Sequence, residues 1–283
     1  MGLKEERPKS GTDPERPRRP GRRKPRGTLF YSLVSASTVA LLFLCWHLAS
    51  LWRLVNPAFL PSPGEVWDAF AELLRYDYKG VSLERHILTS LKRLFLALGA
   101  SLCVAVPLGL AAGTSRLVRA VIDPVIEFYR PLPPLAYYTL LVLFMGIGDE
   151  SKVTLLFLSA FAPLLIGITF AVQRIPEDRL RAARSLGAKG PRLLWNVVLP
   201  SCLPDILTCF RTSTGLAYAT LVAAEMVAAV SGLGWLVLDA SKFLRNDIVF
   251  AGIIILGVIA ILMDVVLRRL TRWVSPWLER EAP

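Results

Sequence analysis

Long apolar runs constrain this chain more than anything else in it. They cover approximately residues 29–51, 90–114, 132–148, 153–173, 205–230 and 249–268. A bilayer core about 30 Å thick takes roughly 20 helical residues to cross. A segment facing lipid must satisfy its backbone internally, so a helix is the form such a run adopts. The expectation is an all-α membrane protein with six spans. The third run is short and opens on "YRPLPPLAYY", where Pro131, Pro133 and Pro134 predict a broken or bent start. Composition agrees, with 54% hydrophobic and only 19% charged residues, against about 25% charged in soluble domains.

Charge distribution orients the spans. The net charge is +11, and ten of the Lys and Arg residues fall within residues 1–27. That stretch is rich in Pro and has almost nothing to bury, which predicts a disordered basic cytoplasmic tail. The apolar run after it is too long for a signal-peptide core, and no clear cleavage site ends it. Residues 174–192 carry six Lys or Arg against two acids, and "LRRLTRWVSPWLERE" is again basic, whereas 52–85 is slightly acidic. The positive-inside rule therefore puts both termini in the cytoplasm. The membrane-spanning body is expected over 28–278, with 279–283 as a short tail. Between the first two spans, "LPSPGEVWDAFAELLRYD" reads as an amphipathic interfacial helix. Trp52, Trp235, Trp273 and Trp277 suit interfacial anchoring.

Several chemistries are excluded. His47 and His86 are far apart, with no obvious acidic or cysteine partner. Cys45, Cys103, Cys202 and Cys209 lie in or beside apolar runs without CxxC spacing, so they read as small hydrophobes and not as metal ligands or a disulfide framework. No P-loop motif is present, and no serine or cysteine nucleophile has a histidine partner. Neither a catalytic nor a metal site is expected. The basic tail fits orientation and lipid attraction better than nucleic-acid binding.

Two features invite function. "RAARSLGAKGPRLLWNVVLP", Arg181 to Pro200, is basic and glycine-punctuated between two apolar spans. Ala182 and Ala183 give a small packing face, Gly187 allows a sharp turn, Pro191 suits the first turn of a new helix, and Pro200 is expected to break that helix before the next span. The residues alone leave two readings: a docking element of two short helices, or an ordinary basic loop. In the fifth run, Arg211, Gly215, Tyr218, Val222 and Glu225 recur at steps of four and three on one helical face. Arg211 and Glu225 lie about 21 Å apart along it. This stripe either lines a translocation route or holds its ions structurally, by pairing with neighbouring helices or snorkelling.

The Arg181–Pro200 stretch resembles the cytoplasmic signature loop of bacterial ABC importer permeases, whose pattern is Glu-Ala-Ala, three residues, Gly, nine residues, Ile-x-Leu-Pro. Ala182, Ala183, Gly187, Val197, Leu199 and Pro200 fall at those spacings, with Arg181 in place of the glutamate and Val197 of the isoleucine. Over roughly 30–278 the chain is similar to the nitrate, sulfonate and taurine branch of that family. "YRPLPPLA" with "AARSLGA" looks most like its taurine permeases.

The resemblance implies a type I ABC importer permease fold in the bacterial inner membrane. Residues 174–200 become the coupling loop, with Arg181, Ala182, Ala183, Leu186, Gly187 and Pro200 meeting an ATPase subunit. It also implies a non-enzymatic chain without a cofactor of its own, Mg-ATP being bound by two partner ATP-binding cassette subunits. A second copy of this chain and an extracytoplasmic substrate-binding protein complete the implied assembly. The implied cargo is a small organic sulfonate, taurine first, with nitrate, another alkanesulfonate or a vitamin precursor as alternatives. An ion-coupled secondary transporter would be expected to show inverted repeats, and no convincing internal repeat is found. A membrane-embedded enzyme would need clustered His, Asp or Cys.

Overall fold

The computed structural model describes residues 28–274. The basic tail 1–27, Trp277 and residues 279–283 lie outside it. The chain divides into two units, residues 1–48 and 49–283. Helix α1, Thr28–Leu51, is an apolar rod of 24 residues that makes up the described part of the first unit and runs into the second.

The second unit is a helical bundle. Helix α2 (Pro63–Arg75) starts on a capping box, in which Ser62 accepts from the Glu65 N–H and Glu65 returns the bond to the Ser62 N–H. Its inner face, Val66, Ala69 and Leu73, is buried, as amphipathic patterning requires. It packs on the last helix, α11 (Asn246–Val274), with Arg245 Nη2 2.7 Å from Glu72 Oε2. Helix α3 (Leu83–Thr114) and helix α6 (Asp149–Gln173) form the most extensive pairing, and α9 (Leu199–Ala228) packs against both.

Small residues set these distances. A Cβ on Gly109 would stand 2.7 Å from Ile168 Cγ2, and Gly113 faces the Val172 side chain closely. The "GLAAG" motif therefore works within the chain, letting α3 approach α6. Around it Leu164, Leu165, Ile168 and Cys202 are fully or almost fully buried.

Residues 115–131, outside every expected span, form α4 (Arg116–Tyr129), and a short apolar helix α5 (Pro134–Met145) follows. Pro133 and Pro134 remove two N–H donors between them, so the helix stops and restarts. The third expected run thus yields only 12 helical residues. Five described helices are long and apolar enough to cross a membrane. The count of six full-length spans is not reproduced, because the third run spends its first residues on a proline break.

Helix α7 (Glu177–Ser185) and a short helical turn α8 (Pro191–Leu193) follow α6. Pro200 does not break the chain as expected. α8 runs through a π-helical turn, Leu194–Val198, directly into α9, with Pro200 in its first turn. The wider turn pairs the Leu199 N–H with Leu194 O, which relieves the clash a proline ring makes with the carbonyl four residues back. Helix α10 (Leu233–Lys242) packs between α9 and α11.

Candidate functional site

The loop between α6 and α9 is built as two short helices around glycines. α7 ends in a paired C-terminal cap: Gly187 N–H donates to Arg184 O and Ala188 N–H to Ala183 O, both at 3.0 Å. That geometry needs a left-handed residue after the last helical one, and Gly187 has φ +88°. Gly190, also at positive φ (+52°), precedes Pro191 at the start of α8. Ala183 is buried, whereas Arg181, Ala182 and Leu186 are exposed, Leu186 by 89%. Arg181 is 2.5 Å from Glu177 one turn earlier, so an acid stands close to the position's charge even though the residue itself is basic. An exposed leucine and an exposed Trp195 on a rigid, basic, two-helix element give a surface suited to docking.

The α9 stripe does not converge on one cavity. Arg211 Nε lies 2.5 Å from Asp264 Oδ1 on α11, which also meets Arg268. The Tyr218 hydroxyl donates to Leu256 O at 2.8 Å. Arg211, Gly215 and Tyr218 line a small cavity of about 70 Å³ shared with α11. Glu225 lies elsewhere, fully buried at the far end of α9.

Glu225 is the centre of a network that the sequence analysis saw only in part. Its Oε1 accepts from Arg93 Nη1 at 2.7 Å and from Ser90 Oγ at 2.8 Å, and its Oε2 accepts from Gly234 N–H at 3.0 Å. Arg93, 4% exposed, also donates to Ser231 O and, through Nε, to Asp149 Oδ1. Leu233 N–H donates to Ser90 Oγ and Gly232 N–H to His86 Nδ1. Three successive N–H groups at the start of α10 are thereby satisfied by α3 and α9, and a carboxylate occupies the positive end of a helix. The glycines make the approach possible. Gly232 has φ +125° with the Glu225 carboxylate where its Cβ would be, and a Cβ on Gly234 would stand 2.5 Å from Val222 O. Nearby, Lys152 is almost wholly buried and donates to Ile147 O and Gly148 O in the turn between α5 and α6.

The signal for this cluster was present as His86, Ser90 and Arg93, spaced four and three apart on one helical face, followed far downstream by "SGLGW". Trp235 of that motif stacks on the His86 ring at 5.5 Å and meets Tyr78 edge-on, so it also packs against the bundle. Trp52 and Trp273 remain exposed. Among the described residues no group of His, Cys, Asp and Glu is arranged to hold a metal ion, and the four cysteines are unpaired.

Comparison with known proteins places this architecture. Residues 105–279 match the family described as binding-protein-dependent transport system inner membrane component. The chain is 42% identical to the taurine transport system permease protein of Escherichia coli K12, over 86% of this chain and 89% of that one. It is 32% identical to a putative aliphatic sulfonates transport permease protein of Bacillus subtilis 168, over 95% and 94%. It is 28% identical to the nitrate import permease protein of Synechocystis, over 87% and 91%. Among solved structures, an inward-facing MetNI methionine ABC transporter matches with a TM-score of 0.63 at 19% identity, covering 68% of this chain and 95% of the other. The fold is that of a type I ABC permease, and the chain is a multi-pass membrane protein. It belongs to the family of binding-protein-dependent transport system inner membrane components, the membrane permeases of ABC importers, which work with ATPase and substrate-binding partners.

Proposed function

We propose that the chain carries taurine inward across the bacterial inner membrane as the permease subunit of an ATP-driven importer. The observation that carries this reading is the 42% identity to the Escherichia coli taurine permease along nearly the whole of both chains. Nitrate is the second reading, favoured by a more distant permease. In the proposed assembly two copies related by a two-fold axis pair, because each copy offers a single docking loop and the machine uses two ATPase subunits. The loop from α7 to α8 enters a groove of the ATPase, with Leu186 as the apolar contact and Gly187 fixing the angle between its helices. Mg-ATP is bound and hydrolysed by that partner, and this chain carries no cofactor or catalytic group. Both termini and the loop face the cytoplasm. Arg211 ties α9 to α11 through Asp264 in this reading and does not line the route.

The test is growth of a permease-deleted strain complemented with this chain, on taurine as sole sulfur source and on nitrate as sole nitrogen source. Rescue on taurine is the expected outcome. Rescue on nitrate alone overturns the substrate and leaves the permease assignment standing.

A further inference from the structure

Helix α4 is sharply two-faced. Leu117, Val121, Val125 and Phe128 are exposed on one side. Arg119, Asp123, Glu127 and Arg130 follow at steps of four, four and three on the opposite side, within about a quarter turn of one another. That charged side lines a cavity of about 260 Å³ between α4 and α6, whose far wall includes Ile166, Thr169 and Gln173. The Tyr129 hydroxyl at the end of α4 donates to Leu158 O, about 22 Å along α6 from Gln173. Arg119 and Asp123 are half-buried along this face, and Glu127 and Arg130 are exposed at its mouth.

Arg119 is committed. It donates to Ala112 O and Gly113 O, and Gln173, with its amide oxygen turned toward it, accepts at 2.9 Å. Asp123, Glu127 and Arg130 form no ion pair among the described residues. A cavity offering both an unpaired cation and unpaired carboxylates discriminates between kinds of anion. A simple anion gains from Arg130 but is repelled by Asp123 and Glu127. A short zwitterion, carrying an ammonium and an acid group together, satisfies both.

We propose that the charged face of α4 is a substrate site for a small zwitterionic ω-amino acid or ω-amino sulfonate, with Arg130 donating to the acid oxygens and Asp123 and Glu127 accepting from the ammonium. This rests on the taurine reading above and adds the residues by which the permease itself tells taurine from nitrate or a plain alkanesulfonate. The site is shallow and open, as a release-competent transit site must be.

The experiment uses the purified full transporter, with radiolabelled taurine as probe and ethanesulfonate as the ammonium-free competitor. The wild type is expected to prefer taurine. The Asp123→Asn/Glu127→Gln double variant should lose taurine affinity about tenfold, the scale of a lost charge-assisted hydrogen bond, while ethanesulfonate binds no more weakly than before. Arg130→Gln should weaken both ligands, and Glu127→Asp should keep the preference. An unchanged taurine-to-ethanesulfonate ratio in the double variant overturns the site. Taurine uptake by cells carrying the wild type is read separately. Its absence sinks the taurine reading itself, whereas uptake with unaltered discrimination sinks only the α4 site.

Discussion

Removing the Glu225 side chain should be among the most damaging single changes available in this bundle. Glu225→Ala leaves the Arg93 guanidinium buried with only Asp149 and Ser231 O for company, and strips acceptors from Ser90 and from Gly234 N–H. Breaking a buried ion pair from one side costs about 3–5 kcal/mol. At about 2–4 °C per kcal/mol for a domain of this size, the midpoint of thermal unfolding should fall by roughly 6–20 °C. Taking out both charges is a different perturbation. In Arg93→Met/Glu225→Leu no buried charge is left behind, Asp149 is half exposed and stays solvated, and the main residue of damage is the orphaned Gly234 N–H, at about 1–3 kcal/mol. The double variant should therefore unfold at a higher temperature than Glu225→Ala. Detergent-solubilised protein followed by tryptophan fluorescence or by monodisperse fraction against temperature reads both. A midpoint for Glu225→Ala within about 2 °C of wild type, or a double variant less stable than the single, would refute the view of this network as a buried ion pair.

Gly187→Leu forces a side chain into left-handed backbone at about 1–2 kcal/mol; with nothing near the site the unfolding midpoint should fall by only about 2–8 °C while transport-coupled ATP hydrolysis falls severely. The charge exchange Arg211→Asp/Asp264→Arg should restore uptake lost in either single variant if the pair only ties α9 to α11, and failure of rescue at normal membrane abundance would return Arg211 to the transport route. Tyr78, between α2 and α3, has its phenol pushed up to about 12 by burial, with a further push from the Asp239 carboxylate it donates to at 3.1 Å. A raised folded pKa means the contact is fully present below pH 10 and is lost as pH rises through about 12. Tyr78→Phe should flatten the fall in stability across that window, measured as the difference in unfolding midpoint from wild type.

What was legible in the sequence follows the physics of each signal. The runs around 90–114, 153–173, 205–230 and 249–268 coincide with parts of α3, α6, α9 and α11, because a span is a local property of apolar length. α4 escaped the same criterion because Arg119, Asp123 and Glu127 share one side of it, with Arg130 just beyond its end; its amphipathic period, and not its mean hydropathy, marks it as a helix. Pro200 was misread because a proline signals a break only when the turn before it is α-helical, and a π turn cannot be foreseen from composition. Glu225 stood out as an acid in a greasy helix, but its partners come from α3, more than a hundred positions away, and from a glycine turn whose purpose appears only when the carboxylate is in place. Arg211 had a partner of the same kind in Asp264, equally invisible along the chain.

The two ends of α9 differ in how firmly they are held, and this separates stability from coupling. At the Glu225 end three donors, the Ser90 hydroxyl, Arg93 Nη1 and the Gly234 N–H, converge on one buried carboxylate. At the other end stand a π turn, two glycines with positive φ, and the exposed Leu186 and Trp195. Segments with few buried contacts open and shift most readily, so a partner docked on α7 and α8 would act on the yielding end while the Glu225 end serves as the fixed point. The helix between them is 30 residues long, about 45 Å, far beyond the range at which stability effects of two substitutions interact. In the combined Gly187→Leu/Glu225→Ala protein the losses in unfolding free energy should therefore add to within about 0.5 kcal/mol. Coupled ATP hydrolysis should behave otherwise: once Gly187→Leu has disengaged the loop, loosening the fixed point should cost nothing more. Additive losses in coupling as well as in stability would show that the two ends act through separate routes, and the lever reading of α9 would fall.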